Sequence, residues 1–412
     1  MAEEPIVIIG GGLAAAKAAE SLRTEGYDGD LVVVSSEPHR PYERPPLSKD
    51  YLRGEAERDV LFPLSEEWYT DHRVDLRTAT RAAGIDVDAH SLTLIDGTSL
   101  PYSRLLLATG STPRSFAVPG ADLQGVHYLR TIEHADLLAA TLEASAREGA
   151  GRLAVVGDGW IGMEVAASAR SLGLDVTVVG RGVHPLGRVL GPLLGEMYGK
   201  VHADHDVHLH RDAQVVGITG SEGRVTGLDV ADGTHVAADV VVVGVGVTPN
   251  VGFAEAAGID LRDARLGGGL AVDATLRTSA PDVWAAGDIA SVPSPRYGRP
   301  LRVEHWAVAL ETGPHAARAM LGSREPYDKL PYFYSDQYDV GMEYLGFVED
   351  PAATEVVVSG SLENHELVAF WVSGDRVQAG MTVNVWERME RVEEIVRAAG
   401  PVDRDALAAF HG

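Results

Sequence analysis

The 412-residue chain contains no cysteine. It can form no disulfide, no Cys-x-x-Cys redox pair, no thiolate nucleophile and no cysteine-ligated iron–sulfur cluster. Redox chemistry in such a chain must come from a bound cofactor. Lysine is scarce too, with residues only at positions 17, 49, 200 and 329. Acidic residues outnumber basic ones by 60 to 35, for a formal charge of -25. That field repels a phosphate backbone, so nucleic acid is not an expected partner. Long hydrophobic runs are also missing. The longest, near residues 240–247, falls far short of the ~20 residues that span a bilayer. The start, Met1-Ala2-Glu3-Glu4-Pro5, has neither the basic segment nor the long apolar segment of a signal peptide. These absences predict a cytoplasmic protein without a membrane partner.

What is present is ordinary for a globular protein: 45% hydrophobic and 23% charged residues. The length suggests two or three domains. Two segments repeat one another. Residues 5–9 form an apolar run that enters Gly10-Gly11-Gly12, an Ala-rich helical pattern to Arg23, and a second apolar run at 31–34. Residues 152–156 lead in the same way into Gly157-Asp158-Gly159, a helical pattern to Leu172, and a run at 175–179. Each reads as a βαβ unit of about 30 residues with a right-handed crossover. Further short strands are predicted at 105–107, 240–243 and 283–286, each ending in a turn. Beyond residue 323 aromatics and alternating runs predict an antiparallel sheet, followed by helices near 385–399 and 403–410. The expected fold is α/β, with two interleaved Rossmann-like dinucleotide-binding domains and a C-terminal α+β domain. The boundaries read as 1–114 with 247–322, 115–246, and 323–412.

Gly10-x-Gly12-x-x-Ala15 matches the dinucleotide fingerprint between a strand and a helix. The first glycine permits the tight turn, the second lets backbone approach the pyrophosphate, and the third small residue lets helix and strand pack closely. Glu37, 22 residues after Ala15, is placed to bind a ribose hydroxyl. Gly157-x-Gly159-x-x-Gly162 is the fuller match, but it lacks the acid. Position 180 is glycine, and Arg181 follows. Losing a carboxylate there removes repulsion against a 2′-phosphate, which an arginine can bind. The choice between NADH and NADPH stays open. His202, His205, His208 and His210 are closely spaced, but the first pair falls on a helix and the second on a strand. They are read as surface histidines, and no metal site is expected.

The stretch Glu37-Pro-His-Arg-Pro41-Tyr42-Glu-Arg44-Pro45-Pro46-Leu47-Ser48-Lys49 resembles the FAD-dependent ferredoxin reductases that feed haem-thiolate mono-oxygenases and aromatic-ring dioxygenases. Ala108-Thr109-Gly110, Tyr128-Leu-Arg130-Thr131, Trp284-Ala-Ala-Gly287-Asp288 and Pro331-Tyr-Phe-Tyr-Ser335-Asp336-Gln337 support the resemblance. It implies a glutathione-reductase-like architecture, with FAD at the first fingerprint and NADH or NADPH at the second. It implies FAD contacts from Gly10, Gly12, Leu13, Ala14, Ala15, Glu37, Arg44, Lys49, Ala82 backbone, Ala108, Thr109, Gly110, Arg130 and Asp288, with Trp306 beside the flavin. For the nicotinamide coenzyme it implies Gly157, Gly159, Trp160, Ile161, Gly162, Glu164, Arg181 and Gly246. Lys49 and Glu164 are the expected catalytic pair. Lys49 would stabilise a reduced, anionic ring, and Glu164 would face the nicotinamide.

Without cysteine, electrons on the flavin must leave from its edge, and a [2Fe–2S] ferredoxin fits as the one-electron acceptor. The rival readings are an NAD(P)H oxidase or quinone reductase, and a flavoprotein that binds NADH as a signal. Ferredoxins are typically acidic, so docking on this acidic chain needs a local basic patch. Arg53, Arg58, Arg296, Arg299 and Arg302 are the candidates. The chain is expected to be a monomer or weak homodimer.

Overall fold

The computed structural model describes residues 4–147, 151–398 and 400–410. Residues 1–3 of the acidic start, and Ala399 at the predicted end of a helix, lie outside the described residues. The two repeats fold as expected. The first is β1 (Ile6–Ile9), α1 (Leu13–Thr24) and β2 (Leu31–Val34); the second is β3 (Arg152–Val156), α2 (Trp160–Ser171) and β4 (Asp175–Val179). In each, the two strands pair in parallel, Ile6 opposite Leu31 and Leu153 opposite Val176. Such strands carry helices on both faces and must be apolar throughout. All four residues of β1 and of β2 are buried.

The chain divides into two compact units. The first comprises residues 1–44, 58–112 and 247–331. Its main sheet is parallel, in the order Val283–Ala285, Arg104–Leu107, β1, β2, Val74–Arg77. The interleaving predicted from sequence is visible here, since Val283–Ala285 joins a sheet begun nearly three hundred residues earlier. Smaller antiparallel strands, among them Ala82–Asp86, extend the unit.

The second unit comprises residues 45–57, 113–246 and 332–412. Its parallel sheet has the order Val207–His210, β4, β3, Val240–Val243, Val126–His127. The predicted C-terminal antiparallel sheet has five strands, in the order Tyr332–Gln337, Val340–Gly346, Arg376–Val383, Glu366–Ser373, Glu355–Ser361. One apolar cluster runs through both sheets, joining Val155, Met163, Phe333, Tyr344 and Trp371. The Trp371 Nε1–H donates to the Leu190 carbonyl at 3.2 Å, which gives the buried indole its polar partner. Among the described residues no helix is long and apolar enough to cross a membrane.

Candidate functional site

The first glycine turn has the geometry of a dinucleotide seat. A Cβ on Gly10 would lie 2.3 Å from the Ala108 carbonyl oxygen, so only glycine lets β1 and the strand ending at Leu107 approach. A Cβ on Gly12 would meet nothing within 4 Å. Gly12 is also the N-cap of α1, and no side chain caps that helix. Uncapped N–H groups opening onto free space are what an anionic pyrophosphate requires. Ala15 is fully buried, as the packing position of the fingerprint demands; Leu13 and Ala14 begin the helix.

Around this turn the first unit gathers most of the predicted FAD residues. Arg44 Nη2 donates to Glu37 Oε1 at 2.7 Å, and the Tyr42 hydroxyl donates to Glu37 Oε2. A carboxylate has about four acceptor sites, so Glu37 is held in place with capacity left for ribose hydroxyls. Asp288 is 8% exposed, in the short turn Gly287–Ile289. Gly287 has φ +70° there, which disfavours any larger residue. Thr109 Oγ1 donates to the Asn250 carbonyl at 2.7 Å, and Asn250 Nδ2 returns a bond to the Thr109 carbonyl at 2.9 Å. This fixes Ala108-Thr109-Gly110 at the end of its strand. Trp306 opens the helix Trp306–Met320, and its Nε1–H donates to Glu43 at 2.9 Å. Ala82 begins a strand of the same unit.

The second turn repeats the design in the second unit. Gly157 has φ +112°, and a Cβ there would lie 2.4 Å from the Gly244 carbonyl oxygen. A Cβ on Gly162 would lie 2.2 Å from the Gly157 carbonyl oxygen, so α2 rests directly on its own turn. Gly159 again faces open space, at the uncapped start of α2. Trp160 and Ile161 follow it. Gly246 has φ +100°, and its carbonyl accepts from Arg114 N–H at 2.9 Å. Both seats fit a dinucleotide.

Glu164, in the second turn of α2, is 4% exposed and fully engaged. Lys49 Nζ lies 2.8 Å from Oε2, the Ser48 hydroxyl donates to the same oxygen at 2.5 Å, and Ser335 donates to Oε1 at 2.7 Å. The chain of bonds continues. Gln337 Nε2 donates to Ser335 Oγ at 3.1 Å, and Gln337 Oε1 lies 2.8 Å from His202 Nε2. Burial pushes the His202 imidazole down to about 4, against a smaller upward pull from Gln337. Lys49 and Arg130, grouped by sequence with the FAD residues, belong to the second unit.

Two expectations need correction. Arg302 does not offer its charge to a surface. Its side chain is 9% exposed, Nε donates to the Gly267 carbonyl at 2.5 Å, and Nη1 reaches the Asp288 carbonyl at 3.0 Å and Glu304 at 2.6 Å. It braces the turn that carries Asp288. Arg53 is bonded to Asp50, to Glu55 and, at 3.4 Å, to Ser168, so its charge is largely neutralised locally. Arg58 is exposed beside His39, and Arg296 and Arg299 are half-buried. The histidines are not all on the surface either: His202 is fully buried, and His205 stacks on Tyr338 at 3.7 Å between ring centroids. Among the described residues no group of three or more side chains is arranged to hold a metal ion.

Sequence reasoning passed over Tyr42, Ser48 and Ser335, which hold the two key carboxylates. All three lie inside the stretches that carry the resemblance, which was the available signal. It also passed over Asp158, inside the second fingerprint.

Two parallel sheets, each with an uncapped glycine turn, and a C-terminal domain define a two-dinucleotide flavoprotein reductase. The chain belongs to the pyridine nucleotide-disulphide oxidoreductase family, whose model matches residues 4–313; residues 332–411 match the reductase C-terminal domain. FAD and NAD(P)H are accordingly its cofactor and substrate. The chain is 37% identical to rhodocoxin reductase of Rhodococcus erythropolis, over 92% of this chain and 86% of that protein. It is 36% identical to the ferredoxin–NAD(+) reductase component of the anthranilate 1,2-dioxygenase system of Burkholderia cepacia, over 99% of this chain and 98% of that one. The crystal structure of the covalent putidaredoxin reductase–putidaredoxin complex matches at a TM-score of 0.92 and 33% identity, covering 99% of this chain and 96% of that one.

Proposed function

We propose that the chain is an NAD(P)H:ferredoxin oxidoreductase that passes electrons through FAD to a [2Fe–2S] ferredoxin serving a haem-thiolate mono-oxygenase or a ring-hydroxylating dioxygenase. The observation that carries this reading is a complete pair of dinucleotide seats in a chain without cysteine, similar over nearly its whole length to ferredoxin reductases. When bound, FAD accepts a hydride and releases electrons one at a time, which no side chain here can do.

The protein's own residues bind and orient. Gly10, Gly12, Leu13, Ala14 and Ala15 seat the FAD pyrophosphate, and Glu37, aligned by Arg44 and Tyr42, takes the ribose. Ala82, Ala108, Thr109, Gly110, Arg130, Asp288 and Trp306 complete the FAD contacts. Gly157, Gly159, Trp160, Ile161, Gly162 and Gly246 seat the coenzyme, and Arg181 stands at the adenosine end. Lys49 supplies positive charge for a reduced ring, and Glu164 holds its ammonium in one place. Residues 1–114 with 247–322 form the FAD domain, 115–246 the NAD(P)H domain and 323–412 the C-terminal domain. The protein works in the cytoplasm as a monomer or weak homodimer. Of the candidate docking arginines, Arg58, Arg296 and Arg299 keep that role.

Reconstitution tests the acceptor. The FAD-loaded protein should reduce cytochrome c rapidly only when a [2Fe–2S] ferredoxin is supplied. Turnover with oxygen or a quinone equal to the ferredoxin rate would overturn the proposal.

A further inference from the structure

β4 ends without an acid, because Gly180 stands where a dinucleotide fold commonly places the carboxylate that binds the adenosine ribose. The place itself is filled. A Cβ on Gly180 would lie 2.5 Å from Asp158 Oδ2 and 2.6 Å from Asp158 Cγ. A Cβ on Gly182 would lie 2.8 Å from the same oxygen, whereas the Gly182 N–H donates to it at 3.1 Å. Neither glycine can be larger while the Asp158 side chain occupies that volume. The carboxylate is thus delivered from the glycine turn between β3 and α2 to the end of β4. There it lines a cleft with Gly180, Gly182, Pro185, His210 and Arg211. The last two are already engaged, His210 with Asp232 at 3.0 Å and Arg211 with Glu196 at 2.6 Å. Arg181, between Gly180 and Gly182 in the chain, is exposed.

We propose that Asp158 is the specificity-determining acid of the coenzyme site. It accepts the adenosine 2′-hydroxyl of NADH and repels the 2′-phosphate of NADPH. The inference deepens the function proposed above and rests on the second glycine turn being the coenzyme seat. A carboxylate accepts a hydrogen bond from a hydroxyl readily but stands as a like charge against a phosphate dianion. Arg181 is the cation a 2′-phosphate finds once that carboxylate is neutralised.

The test is equilibrium binding to the FAD-loaded protein by titration calorimetry, with 5′-AMP and adenosine 2′,5′-bisphosphate as probes. Asp158→Asn keeps an oxygen for the Gly182 N–H, so the fold should survive, and Asp158→Ser is a second, smaller variant. The wild type should prefer 5′-AMP. Either variant should raise affinity for the bisphosphate about 10- to 100-fold relative to 5′-AMP, and Arg181→Ala in the Asp158→Asn background should remove most of that gain. The NADPH-to-NADH ratio of kcat/KM should move in the same sense. A bond that only shaped the turn would weaken both probes alike, so an unchanged ratio in both variants overturns the inference. A wild type that binds neither probe overturns the seat assignment beneath it.

Discussion

The buried pair of Lys49 and Glu164 permits a quantitative test by double-mutant cycle. Their charged atoms lie 2.8 Å apart, with the side chains 10% and 4% exposed. Replacing Glu164 by Ala leaves the ammonium facing the Pro45 carbonyl at 3.4 Å, and it removes the acceptor of Ser48 and Ser335. Breaking one side of a buried pair destabilises by about 3–5 kcal/mol. Lys49→Met leaves the carboxylate with two hydroxyl donors, so its cost should be smaller, about 2–4 kcal/mol. The double variant Lys49→Met/Glu164→Ala buries no unpaired charge. It should cost less than the sum of the single variants by about 2–3 kcal/mol, the upper part of the range seen for residues in direct contact. Glu164→Gln should fall between wild type and Glu164→Ala, because one oxygen still accepts from Ser335. The assay is urea unfolding of the FAD-loaded protein followed by far-UV circular dichroism, comparing midpoints at constant slope. Additive single-variant effects would refute the reasoning, since additivity means the two groups do not sense each other.

Four further outcomes are expected. Gly159 has an extended backbone (φ -85°, ψ -179°) and open space at its Cβ position, so Gly159→Ala should leave the melting temperature nearly unchanged while lowering NAD+ affinity at least about tenfold. Gly162→Ala should instead destabilise the protein by about 2–3 kcal/mol, because its new methyl meets the Gly157 carbonyl. Burial holds the His202 imidazole near 4, below the ~6.5 of an unfolded chain, so the unfolded state takes up the proton first as pH falls. Stability should therefore decline from about pH 6.5 to pH 4, by up to about 3 kcal/mol, and His202→Asn should flatten that slope in a pH series of urea midpoints. Arg302→Glu should slow ferredoxin-dependent and ferricyanide reduction together and loosen FAD retention, as fits a brace on the Asp288 turn; a loss confined to the ferredoxin reaction would restore its docking role.

Both βαβ units were legible in the residues because their causes are local. A strand buried on two faces must be apolar without a break, and a turn that touches a neighbouring carbonyl must be glycine. Helix ends were less legible. The penultimate helix was expected from 385 but begins at Met389, because Asn384 (φ +49°) and Glu387 (φ +63°) hold the chain in left-handed turns first. Sequence alone also established that electrons could not rest on a cysteine sulfur, since the chain has no cysteine. The chemical surroundings of the site were decided only by tertiary structure. Glu164 meets Ser48 across 116 residues and Ser335 across 171. Charge patterning suggested that Arg302 faces solvent, but its guanidinium found two backbone carbonyls and Glu304 and turned inward. The acid missing from position 180 was present all along at 158. A linear spacing rule locates a residue by its number, whereas the ribose responds to the place its carboxylate reaches, and Asp158 reaches that place because Gly180 and Gly182 leave it empty.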